Sequence, residues 1–441
     1  MELEIKKDND PVLREPTEEV TDFGFEFQKL VDDITETMRA KEGVGLAAPQ
    51  VGVSKKMFIC EFAGDKETKL DAFPLTVLCN PKIEKLSKQK KNMVEGCLSV
   101  PDREIIVKRP KTATVSGKDR YGKDLTIEAE SLYARVLQHE VDHLNATLIV
   151  DHIKQSKVIF IGTGSLGVGA LKSLVADNQY EIVLVVTGAA SGKVRGAEVE
   201  KNQIYKIAEE AKLPIIRTEK IRDEAIIKKI KKAKPELGIM ADFGQIIPQE
   251  VLNIPRHGII NIHPSLLPKH RGASPIQQTI LDGDKETGLT LILANAECDA
   301  GDIISQAVVE LSGSETTSIL KKYFSEISGS YLLSILPYYL SKELKPHPQP
   351  EKDITMTRMF TKEDGFVDEK TPAEAVERKI RAFDEWPKVY TEFKGKKIQL
   401  LAAHFNEEGR LIIDRVKPEG KKEMTYHDFQ NGYHSDLTFG S

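Results

Sequence analysis

Between residues 157 and 293 the chain carries five short, nearly continuous apolar runs: KVIFIG (157–162), EIVLVV (181–186), ELGIMA (236–241), GIINIH (258–263) and GLTLIL (288–293). They do not alternate apolar with polar residues, so each reads as a strand covered on both faces. The stretches between them, such as AEVEKNQIYKIAEEAK and EAIIKKIKKA, have helical character. Strands buried on both faces and alternating with helices predict a doubly wound parallel α/β sheet. Ligands of such sheets bind beyond the carboxyl ends of the strands, and Asn261 and His263 lie at one of those ends.

At 441 residues the chain exceeds one ordinary core, and two to three domains are expected. Residues 1–155 have a different texture. A helix pattern around Phe27–Met38 is followed by alternating runs such as TATVSG (112–117) and LTIEAE (125–130), then by the amphipathic segment SLYARVLQHEVDHL. This predicts a compact α+β unit. Residues 156–344 hold the doubly wound sheet, and the Pro-rich, polar KPHPQPEK (345–352) reads as a linker. From 353 to 441, VYTEFKG, KIQLLAAHF and LIIDRV read as strands joined by Gly turns, giving a small β domain.

Composition narrows the function classes. No run approaches the ~20 apolar residues of a membrane helix, and the charged start MELEIKKDND lacks a secretory apolar stretch. The cytoplasm and no membrane partner are therefore expected. Four cysteines (Cys60, Cys79, Cys97, Cys298) in so long a chain do not make a disulfide framework. A net charge of −5 means that any nucleic-acid contact needs a local basic patch.

The segment QHEVDHL (138–144) sets His139 and His143 one helical turn apart with Glu140 between them. Two imidazoles on one helix face suit a single metal ion, and the glutamate suits proton transfer from a metal-bound water. A polar helix face could match this short pattern by coincidence. The extended form of the motif would supply a third ligand at 149, but that residue is Ile149. Cys97, in EGCLSVP (95–101), is the outstanding candidate instead.

GVGLAAPQ (43–50), EGCLSVP and QHEVDHL, in this order, resemble the three motifs of the peptide deformylases, and DPVLREPTEEV near the start is similar to the same family. The resemblance covers nearly all of residues 1–155. It implies that Cys97, His139 and His143 bind the metal and that Glu140 is the general base and acid. It also implies that Gln50 and the backbone N–H of Leu98 hold the developing oxyanion, and that Gly45 pairs with the substrate's backbone. Fe²⁺ is the implied metal, with Zn²⁺, Ni²⁺ or Co²⁺ as possible substitutes. Ala146 stands where the family commonly has glycine, and a local backbone adjustment is expected there.

GTGSLG (162–167) follows a strand and precedes a helix, the setting of a dinucleotide fingerprint. The acidic residue wanted at the end of the second strand is missing, since that strand ends VVTGAA. These glycines are therefore expected to serve helix–strand packing and a tight turn. A nicotinamide oxidoreductase is the weakest of the readings.

NIHPSLLPKHRGASPIQ (261–277) followed by CDAGDI (298–303) brings an amide, an imidazole and a carboxylate within reach of one strand end. That set suits amine attack on an activated acyl group. With ADFGQIIPQEVLNIP (241–255), GDKETGLTLILANAECDAGDI (283–303) and RAFDEWPKVYTEFKGKKIQLL (381–401), these residues resemble the formyltransferases that use 10-formyltetrahydrofolate. The closest resemblance is to methionyl-tRNA formyltransferases, from 157 to about 433. It implies catalytic Asn261, His263 and Asp299. It implies a folate site lined by Ser265, Leu266, Leu267, Pro268 and Phe243, and a loop beside it shaped by Arg271 and Gly272. It further implies initiator Met-tRNA as partner and a C-terminal β-barrel of OB-like type that contacts it.

Two features depart from that pattern. Gly164 replaces the proline of the family's first loop. The family's basic insertion after the second strand is reduced to GAASGKVRGAEVEK (188–201), where Lys193, Arg195 and Lys201 stand beside Glu198 and Glu200. Recognition of tRNA is then expected to rely more on Arg415, Lys417, Lys421 and Lys422.

The two resemblances together imply a chain that formylates methionine on initiator tRNA and strips the formyl group from nascent formyl-Met peptides, with the ribosome acting between the steps. The alternatives are a transferase half acting on a sugar-nucleotide amine or hydrolysing formyltetrahydrofolate, and one half serving only as a binding module for tRNA or nascent chains.

Overall fold

In the computed structural model the chain divides into two compact units, Met1–Lys154 with Leu336–Glu343, and Gln155–Ile335 with Leu344–Ser441. The structure describes residues 1–66, 70–188, 201–433 and 436–440. No described helix is long and apolar enough to cross a membrane.

The first unit is an α+β fold. Its strands are β1 (Gly45–Ala47), β2 (Met57–Phe62), β3 (Phe73–Leu86), β4 (Lys90–Cys97), β5 (Val100–Pro110), β6 (Thr112–Lys118) and β7 (Asp124–Glu130). Five form an antiparallel sheet in the order β1-β2-β3-β6-β7, and β4 and β5 pair separately. Helix α1 (Phe25–Ala40) turns Val31, Ile34 and Met38 into a core shared with Leu46, Met57 and Ile59. Helix α2 (Ser131–Leu144) does the same with Leu137, Val141 and Leu144, packing with Phe58, Leu78 and Val115. That apolar stripe anchors the helix, so the residues between its members face the metal-type cluster. Beyond the cap residue Asn145, Ala146 takes φ 58. This is a left-handed turn that suits glycine, and here it carries a Cβ.

In the second unit the strands are β8 (Ser156–Gly162), β9 (Tyr180–Gly188), β10 (Ile215–Thr218), β11 (Leu237–Ala241), β12 (Ile259–His263), β13 (Arg271–Gly272), β14 (Glu286–Leu293) and β15 (Asp302–Glu310). Helices α3 (Gly167–Ala176), α4 (Gln203–Glu210) and α5 (Glu224–Ala233) connect the first four of them. The seven-stranded sheet runs β10-β9-β8-β11-β12-β14-β15 and is parallel as far as β12. The run at 288–293 departs from the expected parallel sheet: β14 is antiparallel to β12, with His263 opposite Thr290, and β15 is antiparallel to β14. Burial on both faces is satisfied by either strand direction, so the apolar pattern carries no polarity.

The strand order reverses between β8 and β11, where the glycine loop lies. A Cβ on Gly164 would fall 1.6 Å from an Asp242 carboxylate oxygen. The glycine makes room for a side chain of the neighbouring strand end, in keeping with a packing role.

The remainder of this unit contains β16 (Met356–Thr357), helix α6 (Ala373–Ala382) and a four-stranded antiparallel sheet in the order β17-β18-β19-β20, whose strands span Val389–Phe393, Lys396–Phe405, Leu411–Pro418 and Met424–Thr425. The sheet is open: among the described residues no pairing joins β17 to β20. Residues 345–352, expected as a linker, lie along this unit. His347 exchanges backbone hydrogen bonds with Ile303 (2.8 and 2.9 Å), and Gln349 is buried.

Candidate active sites

In the first unit β4 ends on Cys97, and α2 presents His139, Glu140 and His143. The Cys97 Sγ and His143 Nε2 atoms are 3.3 Å apart, and the two histidine Nε2 atoms are 3.2 Å apart. Tetrahedral coordination with bonds of about 2.0–2.3 Å gives ligand-to-ligand edges of roughly 3.3–3.5 Å. The Cys97, His139 and His143 donor atoms all fall within 4.8 Å of one another, the one such group among the described residues. Nitrogen lone pairs converging this closely repel unless a proton or a cation lies between them. A thiolate with two imidazoles suits Zn²⁺ or Fe²⁺ and leaves a fourth position open, so these residues fit a divalent metal.

Behind the ligands, Glu95 is buried and accepts from His139 Nδ1 (3.0 Å), from Arg109 through Nε (2.7 Å) and Nη2 (2.9 Å), and from Arg135. Burial opposes ionisation of Glu95. The His139 hydrogen bond and the Arg109 guanidinium together outweigh it and hold the carboxyl well below the usual range. Arg109 also donates to Asp142 (2.7 Å). Glu95 thereby fixes the His139 ring and leaves its Nε2 for a metal. Sequence reading missed this residue. It sits two positions before Cys97 on the same strand, across a break in the strand's pairing register. Arg109 and Arg135 come from β5 and α2 and carried no motif signal.

Glu140 is buried, and burial pushes its carboxyl up to about 7, against the lowering field of His139. One of its oxygens has no partner. The other lies 2.3 Å from where a Cβ on Gly45 would be, so Gly45 is what admits the carboxylate. Gln50 donates through Nε2 to Ser99 Oγ (3.2 Å) and toward Cys97 Sγ (3.5 Å), while its oxygen accepts from the Ala47 N–H (2.8 Å). Leu98 begins the two-residue turn between β4 and β5, beside Cys97. All the expected residues of this site are thus gathered around the ligand cluster, with Gly45 on the edge strand of the sheet.

In the second unit, Asn261 and His263 project from the end of β12. Asn261 Nδ2 donates to Asp299 Oδ1 (3.0 Å), and His263 Nδ1 lies 3.6 Å from the same oxygen. The other Asp299 oxygen accepts the Gly272 N–H (2.9 Å). His263 Nε2 lies 3.0 Å from the His270 carbonyl oxygen, which makes it the protonated nitrogen and leaves Nδ1 a free lone pair. Burial lowers the His263 pKa, outweighing the attraction of Asp299. Burial therefore favours the neutral imidazole here.

Ser265 to Pro268 form the turn after this strand. Ser265 Oγ donates to the Lys269 carbonyl (2.7 Å), and Leu267 packs with Ile292 and Ile303. Leu266 is half-buried beside Gly288. Phe243 packs into the sheet core with Ile159, Ile161 and Val251. Arg271 donates through Nε to Gln349 (2.9 Å). Of the reduced basic loop, Lys193 and Arg195 lie outside the described residues, and Lys201 is engaged by Glu209 (2.7 Å). Arg415 is paired with Glu423 (2.6 Å).

The first unit thus presents a metal-type hydrolytic cluster, and the second an amide–imidazole–carboxylate centre at the strand ends of a doubly wound sheet. Family models agree: polypeptide deformylase matches residues 2–158, formyl transferase 156–336, and the formyl transferase C-terminal domain 359–410. The chain is 33% identical over 299 residues to the methionyl-tRNA formyltransferase of Roseiflexus castenholzii, covering 63% of this chain and 96% of that one. It is 33% identical over 309 residues to that of Halalkalibacterium halodurans, covering 65% and 97%. Among solved structures, a peptide deformylase from Legionella pneumophila is 38% identical over 35% of this chain and 87% of its own, with a TM-score of 0.32. The chain belongs to the methionyl-tRNA formyltransferases and carries a polypeptide deformylase domain fused ahead of the transferase domains.

Proposed function

We propose that the two centres act at opposite ends of the N-formylmethionine cycle, each through the residues gathered around it. The observation that carries this reading is the presence of two complete reacting sets in one chain: Cys97, His139, His143 and Glu140 in the first unit, Asn261, His263 and Asp299 in the second. A degenerate binding module would have no need to keep either.

In the deformylase unit, a divalent cation held by Cys97, His139 and His143 supplies Lewis acidity and an acidified water. Fe²⁺ is the proposed metal, with Zn²⁺, Ni²⁺ or Co²⁺ as substitutes. Glu140, with an unpartnered buried oxygen, takes the proton of the attacking water and returns it to the departing amine. Gln50 and the Leu98 N–H stabilise the oxygen of the formyl group. Edge strand β1, with Gly45, pairs with the peptide backbone as an added strand.

In the transferase unit, the α-amine of methionine on initiator tRNA attacks the formyl carbon of 10-formyltetrahydrofolate. The new C–N bond forms as the bond to the folate nitrogen breaks. Asn261 stabilises the developing oxyanion, and the amine's proton passes by way of His263 Nδ1 and Asp299 to the leaving nitrogen. Ser265 to Pro268 and Phe243 border the folate. Arg271 and Gly272 shape the loop.

The open C-terminal sheet contacts tRNA through Arg415, Lys417, Lys421 and Lys422. The cytoplasm is the place of work, with nascent formyl-Met peptides met at the ribosome. The test is transfer of formyl from 10-formyltetrahydrofolate to methionine-charged initiator tRNA, set beside deformylation of a formyl-Met peptide, in wild type, His263→Ala and Glu140→Gln. Transfer lost in the first variant alone and hydrolysis lost in the second alone is the expected outcome. Deformylation without transfer would move the second centre to another amine, such as a sugar nucleotide.

A further inference from the structure

The segment 345–357 crosses the transferase unit as a strap fixed on both sides of one inward-pointing side chain. Before it, His347 exchanges two backbone hydrogen bonds with Ile303. After it, the Thr355 carbonyl accepts the Arg271 N–H (3.0 Å), and Thr357 Oγ1 donates to the Arg271 carbonyl (3.1 Å). Between these anchors lies Gln349, only 8% exposed. Its amide nitrogen donates to the carbonyls of Asp299 (2.8 Å) and Gly301 (2.7 Å), and its oxygen accepts from Arg271 Nε (2.9 Å). Both donor hydrogens and the acceptor are spent on the two loops that present Asp299.

That loop needs holding. Asp299 has φ 49, a left-handed backbone that a residue with a Cβ keeps only when its surroundings impose it. Gly301 packs so closely on the neighbouring strand end that a Cβ there would lie 1.9 Å from the Leu293 carbonyl oxygen. The facing loop is coupled to the same carboxylate, since the Gly272 N–H donates to Asp299 Oδ2. One amide therefore fixes the main chain behind Asp299 and the arginine next to Gly272.

We propose that Gln349 is a positioning residue for formyl transfer, which sets the Asp299 carboxylate against Asn261 and His263. The proposal rests on the reading of those three residues as the transfer centre. Gln349 touches none of the reacting atoms and acts by holding two peptide groups, so its loss lowers kcat rather than donor binding.

Two substitutions in the full-length chain separate the contributions. Gln349→Met keeps the bulk and removes all three hydrogen bonds. Gln349→Glu keeps the acceptor for Arg271 and removes both donors. Each is expected to lower the transfer kcat about 10- to 100-fold, the scale of a misplaced catalytic group, with the KM for 10-formyltetrahydrofolate within about twofold. The Gly272 amide should exchange hydrogen faster in both, and deformylation by the same samples should be unchanged. Gln349→Met on an Asp299→Asn background should add little, because residues acting through one another are not additive.

The proposal is overturned by a wild-type kcat in Gln349→Met, by a raised KM at constant kcat, or by full additivity with Asp299→Asn. A Gln349→Glu variant as active as wild type would assign the effect to Arg271 alone and also overturn it. Failure of the underlying reading looks different: Asp299→Asn would then transfer as well as wild type, or neither would transfer at all, and the proposal would fall with it.

Discussion

The deformylase centre sits on regular elements. Its metal-type ligands lie on one helix and one strand end, and the carboxylate behind them, Glu95, is locked by two buried arginines. The transferase centre is a junction of loops: one strand end, a turn in a left-handed conformation and a strap from some fifty residues further on meet at Asp299. A metal demands fixed donor geometry before anything binds, which helices, strands and buried ion pairs supply. A group transfer between two large substrates needs an opening at the strand ends, which only loops leave. The first centre should therefore fail through electrostatics and the second through backbone geometry.

The largest effect tests whether the two centres are independent. Glu140→Gln is expected to slow deformylation by about 10²- to 10⁴-fold, the range for losing a general base, with formyl transfer unchanged. Asp299→Asn should do the reverse. Rate assays on one purified chain decide it, and a variant that depresses both reactions would break the comparison.

The next effect is on stability. Glu95→Gln removes a buried carboxylate and leaves Arg109 and Arg135 partly uncompensated, which costs about 3 kcal/mol or more. Metal retention should fall about 10- to 100-fold as His139 loses its orienting partner. Denaturant titration and competition with a chelator measure the two. A variant as stable and metal-retentive as wild type would show that the arginines, not Glu95, organise the site.

Much of the first centre was legible because its chemistry is written in short spacings. His139, Glu140 and His143 share a helix turn, and even Glu95 can be read from its place two residues before Cys97. The second centre was legible at Asn261, His263 and Asp299, and at Arg271 and Gly272 in the loop beside them. Phe243, expected beside the folate, belongs to a core cluster, and an apolar residue after a strand end has the same composition whether it lines a site or closes a sheet. Gln349 was hidden in a Pro-rich, polar stretch that reads as linker, and only tertiary contacts reveal it as buried. The direction of β14 was equally unreadable, since burial of a strand does not record which way it runs.

A smaller effect concerns pH and the second centre alone. Burial lowers the His263 pKa below its ordinary value near 6.5. The ring is then neutral from that pH upward, and transfer should be flat with respect to this group through neutrality. On acidification the unfolded chain takes up the proton first, so stability falls as pH drops through about 6.5 and the rate falls lower still. A rate profile whose acid limb has its midpoint above 6.5 would show that the attraction of Asp299 prevails over burial.

The smallest effect returns to the regular frame of the deformylase centre. Ala146 holds φ 58 immediately after α2, and its N–H lies 3.2 Å from the His143 carbonyl. A left-handed residue with a Cβ costs roughly 1–2 kcal/mol, and glycine gives back part of that gain through its larger unfolded-state entropy. Ala146→Gly should thus stabilise the unit by about 1 kcal/mol, seen as a higher denaturant midpoint at unchanged slope. Because the residue follows the ligands and is bonded to the His143 main chain, not to its imidazole, the deformylation rate should not move. A rate change without a stability change would mean that the strained turn sets the position of His143, and that this centre too depends on backbone geometry.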